Sequence, residues 1–233
     1  MRGPSGALDA RTTKRGVSDD GGVSETDATR RFYDTIAAAY AAALPETRAE
    51  ASLDLGTIAQ FVADLPDGDG PIVDAGCGTG RLLTHLAALG VSPLTGVDLS
   101  PAMVAHARTA HPEVPIEVAE LTALPFPDAT VRGILCWYAI IHSDADDVAA
   151  ICREARRVLR PGGVILLGFQ AGSGNRRIER AYGHDIAMNA VLHEPAAIAR
   201  TLEAEAFDVT AIAERAARGR ERHAQGFVLA RRR

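Results

Sequence analysis

The chain is short of several residue types, and each shortage excludes something. Its 233 residues include three cysteines, Cys77, Cys136 and Cys152. An odd, sparse set makes no disulfide framework, and the spacing matches no zinc site, so no bound metal is expected. Aromatic residues make up 5%, with a single tryptophan, Trp137. No run approaches the ~20 apolar residues of a membrane-spanning helix, and no membrane partner is expected. The first residues contain no apolar segment of the kind a secretory signal carries, so the expected compartment is the cytoplasm. Lysine is almost missing. Lys14 is the only one among 25 basic residues, and the other 24 are arginine.

What is present is an ordinary globular balance, 47% hydrophobic and 24% charged, with a net charge of −5. That excludes a wholly disordered chain or a collagen-like fibre, and the length suits one domain plus a tail. The charge is unevenly spread. Residues 214–233 hold seven arginines against Glu214 and Glu221, a local +5 that leaves −10 for the remainder. A nucleic-acid enzyme generally has a basic body, so this split favours a small molecule over a nucleic acid as partner. The arginine excess has two explanations, GC-rich coding or recruitment for bidentate recognition of anions. Composition does not separate them.

Residues 1–27 are rich in Gly, Ser, Thr, Asp and Arg and have no hydrophobic period. They are expected to form a disordered tail to a single domain over 28–233. Phe32, Ile36, Tyr40 and Leu44 recur every four positions, which predicts an amphipathic helix ended by Pro45. A second helix is expected over about 48–64 with Leu53, Ile58, Phe61 and Val62 inward, so 28–66 reads as an N-terminal helical unit. From residue 71, short apolar runs at 72–75, 94–98, 116–119, 131–137, 164–169, 209–213 and 226–230 alternate with helical segments near 80–89, 101–110, 145–159 and 195–206. This is the pattern of an α/β doubly wound fold with a seven-stranded, mostly parallel sheet. No helix separates the last two runs, so the last strand is expected to insert antiparallel. Residues 170–193 are the least regular part and are expected to form a substrate-side insert.

The strongest local signal is Val73-Asp74-Ala75-Gly76-Cys77-Gly78-Thr79-Gly80-Arg81, a strand running through a glycine turn into a helix. Glycine permits positive φ and close approach of backbone to a ligand. A glycine turn after the first strand of such a sheet is a nucleotide-type site. The dinucleotide fingerprint needs a glycine where Arg81 stands, and a phosphate loop needs Lys followed by Ser or Thr. A carboxylate at Asp74 repels a pyrophosphate and suits a ligand with positive charge or donors.

These residues resemble the class I S-adenosylmethionine-dependent methyltransferases, whose motif D-x-G-x-G-x-G is matched by Asp74, Gly76, Gly78 and Gly80. The likeness extends over about 30–230. It includes Asp98 closing the second strand, Pro101 and Met103 opening a helix, Leu124-Pro125-Phe126, and Arg157-Val158-Leu159-Arg160-Pro161-Gly162-Gly163 before the fifth strand. The resemblance implies a Rossmann-like methyltransferase fold, S-adenosylmethionine as cofactor, and methyl transfer to a small molecule of natural-product type. It implies that Asp74, Ala75, Gly76, Cys77, Gly78 and Gly80 wrap the methionine end and ribose. Asp98 would take the ribose hydroxyls, Leu99 and Met103 would flank the adenine, and Glu120 and Leu121 would meet its edge. The family more often has Asp where Glu120 stands. Tyr40 and Cys136 complete the expected cofactor contacts.

The acceptor pocket implied by the family lies among the N-terminal helices, the end of the fourth strand and the insert. The Asn/Asp-Pro-Pro-Tyr signature of amide- and adenine-nitrogen methylation is absent after Cys136. His142 is the first candidate for a general base and His184 the second; His142 can equally cap the following helix. Tyr33 shares a helix face with Tyr40. Tyr33, Trp137, Tyr138, Arg176, Arg177, Tyr182 and Asn189, with Gln170, are candidate acceptor contacts. Arg215, Arg218, Arg220 and Arg222 lie in the turn before the last strand and, with Arg176 or Arg177, could meet an anionic group on the acceptor. A nicotinamide-dependent oxidoreductase and a non-catalytic cofactor-binding protein stay open as alternatives.

Overall fold

The computed structural model describes residues 24–219 and 221–233. The tail expected over 1–27 thus falls mostly outside the described residues. Residues 24–27 do not belong to a tail: Ser24 caps a helix and accepts a hydrogen bond from the Asp27 N–H. Glu25 and Asp27 stand in that first turn, where the free N–H groups favour negative charge.

The elements in chain order are α1 (Glu25–Ala43), a 3-10 turn at Thr47–Ala49, α2 (Ser52–Ala63), β1 (Ile72–Ala75), α3 (Arg81–Ala88), β2 (Leu94–Asp98), α4 (Pro101–Ala110), β3 (Ile116–Val118), β4 (Val131–Trp137), α5 (Ala145–Val158), β5 (Leu159–Gln170), β6 (Asn175–Ile178), β7 (Met188–Val191), α6 (Pro195–Ala204), β8 (Phe207–Arg215) and β9 (Gln225–Arg232). Seven strands form one sheet in the order β3-β2-β1-β4-β5-β9-β8. The pairs from β3 to β5 are parallel, and β9 runs antiparallel to both β5 and β8. The expected fold class is therefore the observed one.

Strand alternation splits the core into two layers. One face of the sheet, with Val73, Ile134, Cys136, Ile165 and Leu167, packs on Val148, Ile151 and Cys152 of α5 and on Ile198 and Leu202 of α6. The other face, with Ile72, Leu135, Trp137 and Leu166, packs on Ile58 and Phe61 of α2 and Leu82 and Leu86 of α3. Helix α1 forms a smaller cluster through Phe32 and Ile36 with Met103 and Met188.

Two expectations change. The insert is not irregular: β6 and β7 pair as an antiparallel hairpin, Arg176 opposite Ala190 and Ile178 opposite Met188. A four-residue strand on the rim of a cavity buries only one side, so it leaves little hydrophobic period to read. The second helix turns differently too. Leu53 is 46% exposed, and the inward position of that turn belongs to Asp54, 1% exposed.

Asp54 is buried because it has partners. Its carboxylate receives Arg215 Nε and Nη2 at 2.6 and 2.7 Å, and the Ala51 N–H at 2.8 Å. The same guanidinium reaches Glu221 at 2.6 and 2.8 Å, and these bonds hold the Glu221 carboxyl below its ordinary range. This cluster ties the β8–β9 turn to α2. Arg215 is thus neutralised within the protein, which overturns its proposed role toward an external anion. Truncating one member of a buried ion pair leaves the other uncompensated. Arg215→Ala should destabilise the fold by about 3 kcal/mol, seen as a lower denaturant midpoint with the slope unchanged.

Candidate functional site

The first βα turn is built around backbone that needs glycine. Gly76 has φ +81°, and a Cβ there would lie 2.3 Å from the Ala139 Cβ. The N–H groups of Gly76 and Cys77 both donate to the Val97 carbonyl, at 2.8 and 2.9 Å. Gly78 has φ +54° and faces Tyr40, whose ring would be 3.8 Å from an added Cβ. The loop thus brings bare main chain to the carboxyl ends of β1 and β2, where the strand order reverses beside β4.

Asp98 locks this loop. One carboxylate oxygen accepts the Gly78 N–H at 2.8 Å, and the other accepts the Ser100 N–H at 2.9 Å. A carboxylate offers about four lone-pair sites, so each oxygen keeps one for a hydroxyl. Ser100 accepts from the Met103 N–H and so caps α4, as the sequence allows. Its hydroxyl donates to Asp34 at 2.6 Å, and Asp34 also accepts the Ala102 N–H at 3.1 Å. Asp34 thereby fastens α1 over the site; with no pattern beyond a polar helix position, it gave no sequence signal.

Beneath the loop, Asp74 is 1% exposed and its Oδ2 has no partner among the described residues. Burial pushes its carboxyl up to about 7; Arg81 opposes this and Asp98 adds to it. Arg81 itself is engaged by the buried Glu50, its ion-pair partner, and by Tyr40.

Above these elements lies a cavity of about 530 Å³. Gly76, Gly78, Asp98, Leu99, Met103, Glu120, Leu121, Tyr40, Tyr33, Trp137, Tyr138, His142, Arg176 and Tyr182 all line it, and the Tyr40 and Tyr182 rings meet at 5.1 Å between centroids. Most of the candidate residues are thus brought together. Thr26, Thr29, Gln225, Glu221 and Arg222 join them. Thr26 went unread because it was assigned to the tail.

Several candidates do not reach the wall. Cys136 packs in the core beside α5, since its neighbour Trp137 takes the opposite face. The Cys77 side chain is buried against β2, where a Cβ on Gly96 would meet its sulfur at 3.0 Å. Asp74 and Ala75 are buried at the end of β1. Gly80 faces inward against His111. Arg177 and His184 are exposed on the hairpin and outside the cavity, so His184 is not placed as a base. The Asn189 side chain is exposed as well, but its carbonyl is used. Arg218 is exposed, with its N–H on Glu221. Arg220 lies outside the described residues.

His142 is held at both ring nitrogens. Nδ1 lies 2.6 Å from the Asn189 carbonyl, and Nε2 lies 3.0 Å from the Tyr33 hydroxyl. A carbonyl only accepts, so Nδ1 carries the proton. In the neutral ring Nε2 then accepts from Tyr33. Burial lowers the His142 pKa below its ordinary 6.5, and the charge of Arg176 lowers it further, against the Asn189 bond. Burial also raises the Tyr33 phenol well above 10. At neutral pH the pair is a neutral imidazole and a protonated phenol. Asp144, not His142, caps α5.

The site residues fit an adenosyl amino-acid ligand: an unpaired buried carboxylate oxygen at Asp74, two free lone pairs at Asp98, and bare backbone between. Among the described residues no group of three or more His, Cys, Asp or Glu could hold a metal ion. No described helix is long and apolar enough to cross a membrane.

Residues 72–163 match the family model described as a methyltransferase domain. A probable S-adenosylmethionine-dependent methyltransferase of Mycolicibacterium smegmatis is 36% identical over 118 residues, 51% of this chain and 43% of that protein. A malonyl-acyl-carrier-protein O-methyltransferase of Erwinia billingiae is 31% identical over 111 residues, 48% of this chain and 43% of its own. A demethylmenaquinone methyltransferase of Chlorobaculum parvum is 33% identical over 92 residues, 40% and 37%. The chain spans less than half the length of each of these relatives. Among solved structures, the (4+2)-cyclase SpnF shares the fold with a TM-score of 0.67 at 16% identity, covering 90% of this chain and 96% of that one. A methyltransferase of Methanosarcina mazei does so with 0.65 at 18%, covering 74% and 96%. If Asp98 holds the ribose, Asp98→Ala should weaken S-adenosylhomocysteine binding more than about tenfold in calorimetry, since hydrogen bonds to a charged group contribute about 1.5–3 kcal/mol each. Near-normal affinity would show that the ribose lies elsewhere. Sequence match, glycine loop and sheet order agree: residues 72–163 form a methyltransferase domain similar to those of S-adenosylmethionine-dependent enzymes.

Proposed function

We propose that this chain transfers a methyl group from S-adenosylmethionine to a small-molecule acceptor, with His142 as the general base. The observation that carries the mechanistic part is the fixed tautomer of His142, whose basic Nε2 meets the Tyr33 hydroxyl, both residues lining the cavity that the glycine loop also lines. S-adenosylmethionine, when bound, supplies an electrophilic methyl group on sulfur. The loop and Asp98 would bind and orient it, and Asp74, buried beneath the loop rather than in the cavity wall, would supply a counter-charge to its ammonium end at longer range. Tyr33 and His142 manage the acceptor proton. An acceptor X–H hydrogen-bonded to the Tyr33 oxygen passes its proton there as the phenol proton moves to Nε2, so Tyr33 ends neutral and His142 ends as imidazolium. The Asn189 carbonyl keeps its bond throughout, so the ring does not turn. Trp137, Phe32 and Ile141 give the cavity apolar walls, which exclude water and hold the acceptor in line.

Two relatives carry names that specify acceptors, malonyl-acyl-carrier protein and demethylmenaquinone, and neither is a nucleic acid. The acidic body of the chain points the same way. We read natural-product tailoring as the setting on the overall likeness alone.

The test is formation of S-adenosylhomocysteine from S-adenosylmethionine across a panel of phenols, hydroxy acids and amines. With a substrate in hand, His142→Gln should lower kcat by about 10²–10⁴ and leave S-adenosylhomocysteine affinity unchanged; an unaltered rate would leave catalysis to alignment alone. In the wild type, the rate should be level above pH 7 and fall only as pH drops through the depressed pKa of His142, below 6.5. Cofactor affinity should titrate separately. As pH falls through about 7, Asp74 takes up a proton and its counter-charge is lost. Binding of S-adenosylhomocysteine should weaken from pH 8 to pH 6, by at most about tenfold per pH unit. Asp74→Asn should remove that slope; a slope that persists would assign it to another group.

A further inference from the structure

Most of the arginines around the cavity are spoken for. Arg81 pairs with Glu50, Arg215 with Asp54 and Glu221, and Arg30 with Asp27 and Glu120. Arg176 and Arg222 differ. Both line the cavity, and no carboxylate among the described residues lies within 4.0 Å of either. Among the described residues Arg176 donates only to the side-chain carbonyl of Gln170, at 3.1 Å, and its buried Nε has no partner among them. Burial lowers the Arg176 pKa, and the charge of Arg222 lowers it again. Arg176 is half-buried and Arg222 exposed; their like charges share the cavity wall with no carboxylate partner, an arrangement that an anion between them would relieve.

Their place in the fold says which ligand that anion belongs to. Arg176 rises from β6, Arg222 from the β8–β9 turn, and Gln170 and Gln225 are register partners on β5 and β9. Strand β9 is third from β1, about 14 Å away at ~4.8 Å per strand. The glycine loop and Asp98 lie at β1 and β2, whereas Arg176 is tied to Gln170 of β5 and Arg222 follows from the β8–β9 turn, so the arginines stand away from the glycine loop.

We propose that Arg176 and Arg222 form an oxyanion-binding subsite for the methyl acceptor. The inference rests on the methyltransferase reading above and narrows it. The acceptor is an acid: it carries a carboxylate, sulfonate or phosphate held by two guanidinium groups, an apolar body against Trp137 and Phe32, and a proton-bearing atom that reaches Tyr33 and His142. Arginine suits this role because its planar fork matches an oxyanion bidentately.

Trp137 lines the cavity and is the only tryptophan in the chain, so its fluorescence reports occupancy directly. Protein loaded with S-adenosylhomocysteine is titrated with benzoate, benzenesulfonate, phenyl phosphate and neutral benzamide, each to about 20 mM, a range that covers the weak affinities of fragments. The expected result is saturable binding of at least one of the three anions, with benzamide weaker by about tenfold or more. Which anion binds best identifies the acid class. In the Arg176→Gln/Arg222→Gln variant, anion affinity should fall at least about tenfold, with melting temperature and S-adenosylhomocysteine affinity preserved. Three results would overturn the subsite: no saturable anion binding by the wild type, equal binding by the variant, or a loss of S-adenosylhomocysteine affinity in the variant. The last would assign the arginines to the carboxylate of the cofactor. A wild-type protein that does not bind S-adenosylhomocysteine at all would instead refute the methyltransferase reading itself.

Discussion

The Asp98 carboxylate bridges two backbone donors from different elements, Gly78 in the loop after β1 and Ser100 at the cap of α4. That pair of bonds fixes the loop against the second strand in a conformation its three positive-φ glycines alone would leave open. It also sets the start of α4, because Ser100 must stay in place to cap Met103. From Ser100 the chain of bonds runs to Asp34 and so to α1, which brings Tyr33 and Tyr40 over the site. Desolvation raises the Asp98 pKa, and the Ser100 and Gly78 bonds oppose the rise. One side chain therefore organises the loop, the neighbouring helix and the covering helix, while keeping lone pairs for a ligand.

The half of the site built this way was legible in the sequence. A strand, a glycine turn and an acid closing the next strand are local patterns, and they keep their meaning wherever the rest of the chain goes. The surroundings of His142 were only partly legible, because their geometry depends on contacts between distant segments. His142 acquires its tautomer from residue 189 and its hydroxyl partner from residue 33. Asp54 looks like a solvent position until Arg215 arrives from β8 to neutralise it, and Leu53 loses its inward place as a result. Cys136 and Trp137 are neighbours in sequence, yet pleating sends them to opposite layers.

The arginine excess also takes on a physical meaning. Many of these side chains bind main-chain carbonyls at loops and strand ends. Arg132 reaches the Gly70, Pro66 and Ser92 carbonyls, Arg157 those of Phe126 and Leu124, and Arg231 those of Gly162 and Asp64. A guanidinium with five donors can satisfy several such groups at once, which a lysine cannot do with the same geometry. Whatever the coding bias, the fold uses the residue it was given as a cross-link between loops. Against that background the two cavity arginines without carboxylate partners stand apart.

The hairpin β6–β7 holds the imidazole of His142 through the Asn189 carbonyl, a main-chain atom that every amino acid supplies. The side chain at 189 points to solvent and is free to drift. The register of β7 is not. Adding or removing one residue within Met188–Val191 would turn the 189 carbonyl away from the ring, because successive carbonyls of a strand point to opposite sides. That strand can therefore diverge in composition while its register stays fixed, and length changes are better absorbed in the turn over 179–187.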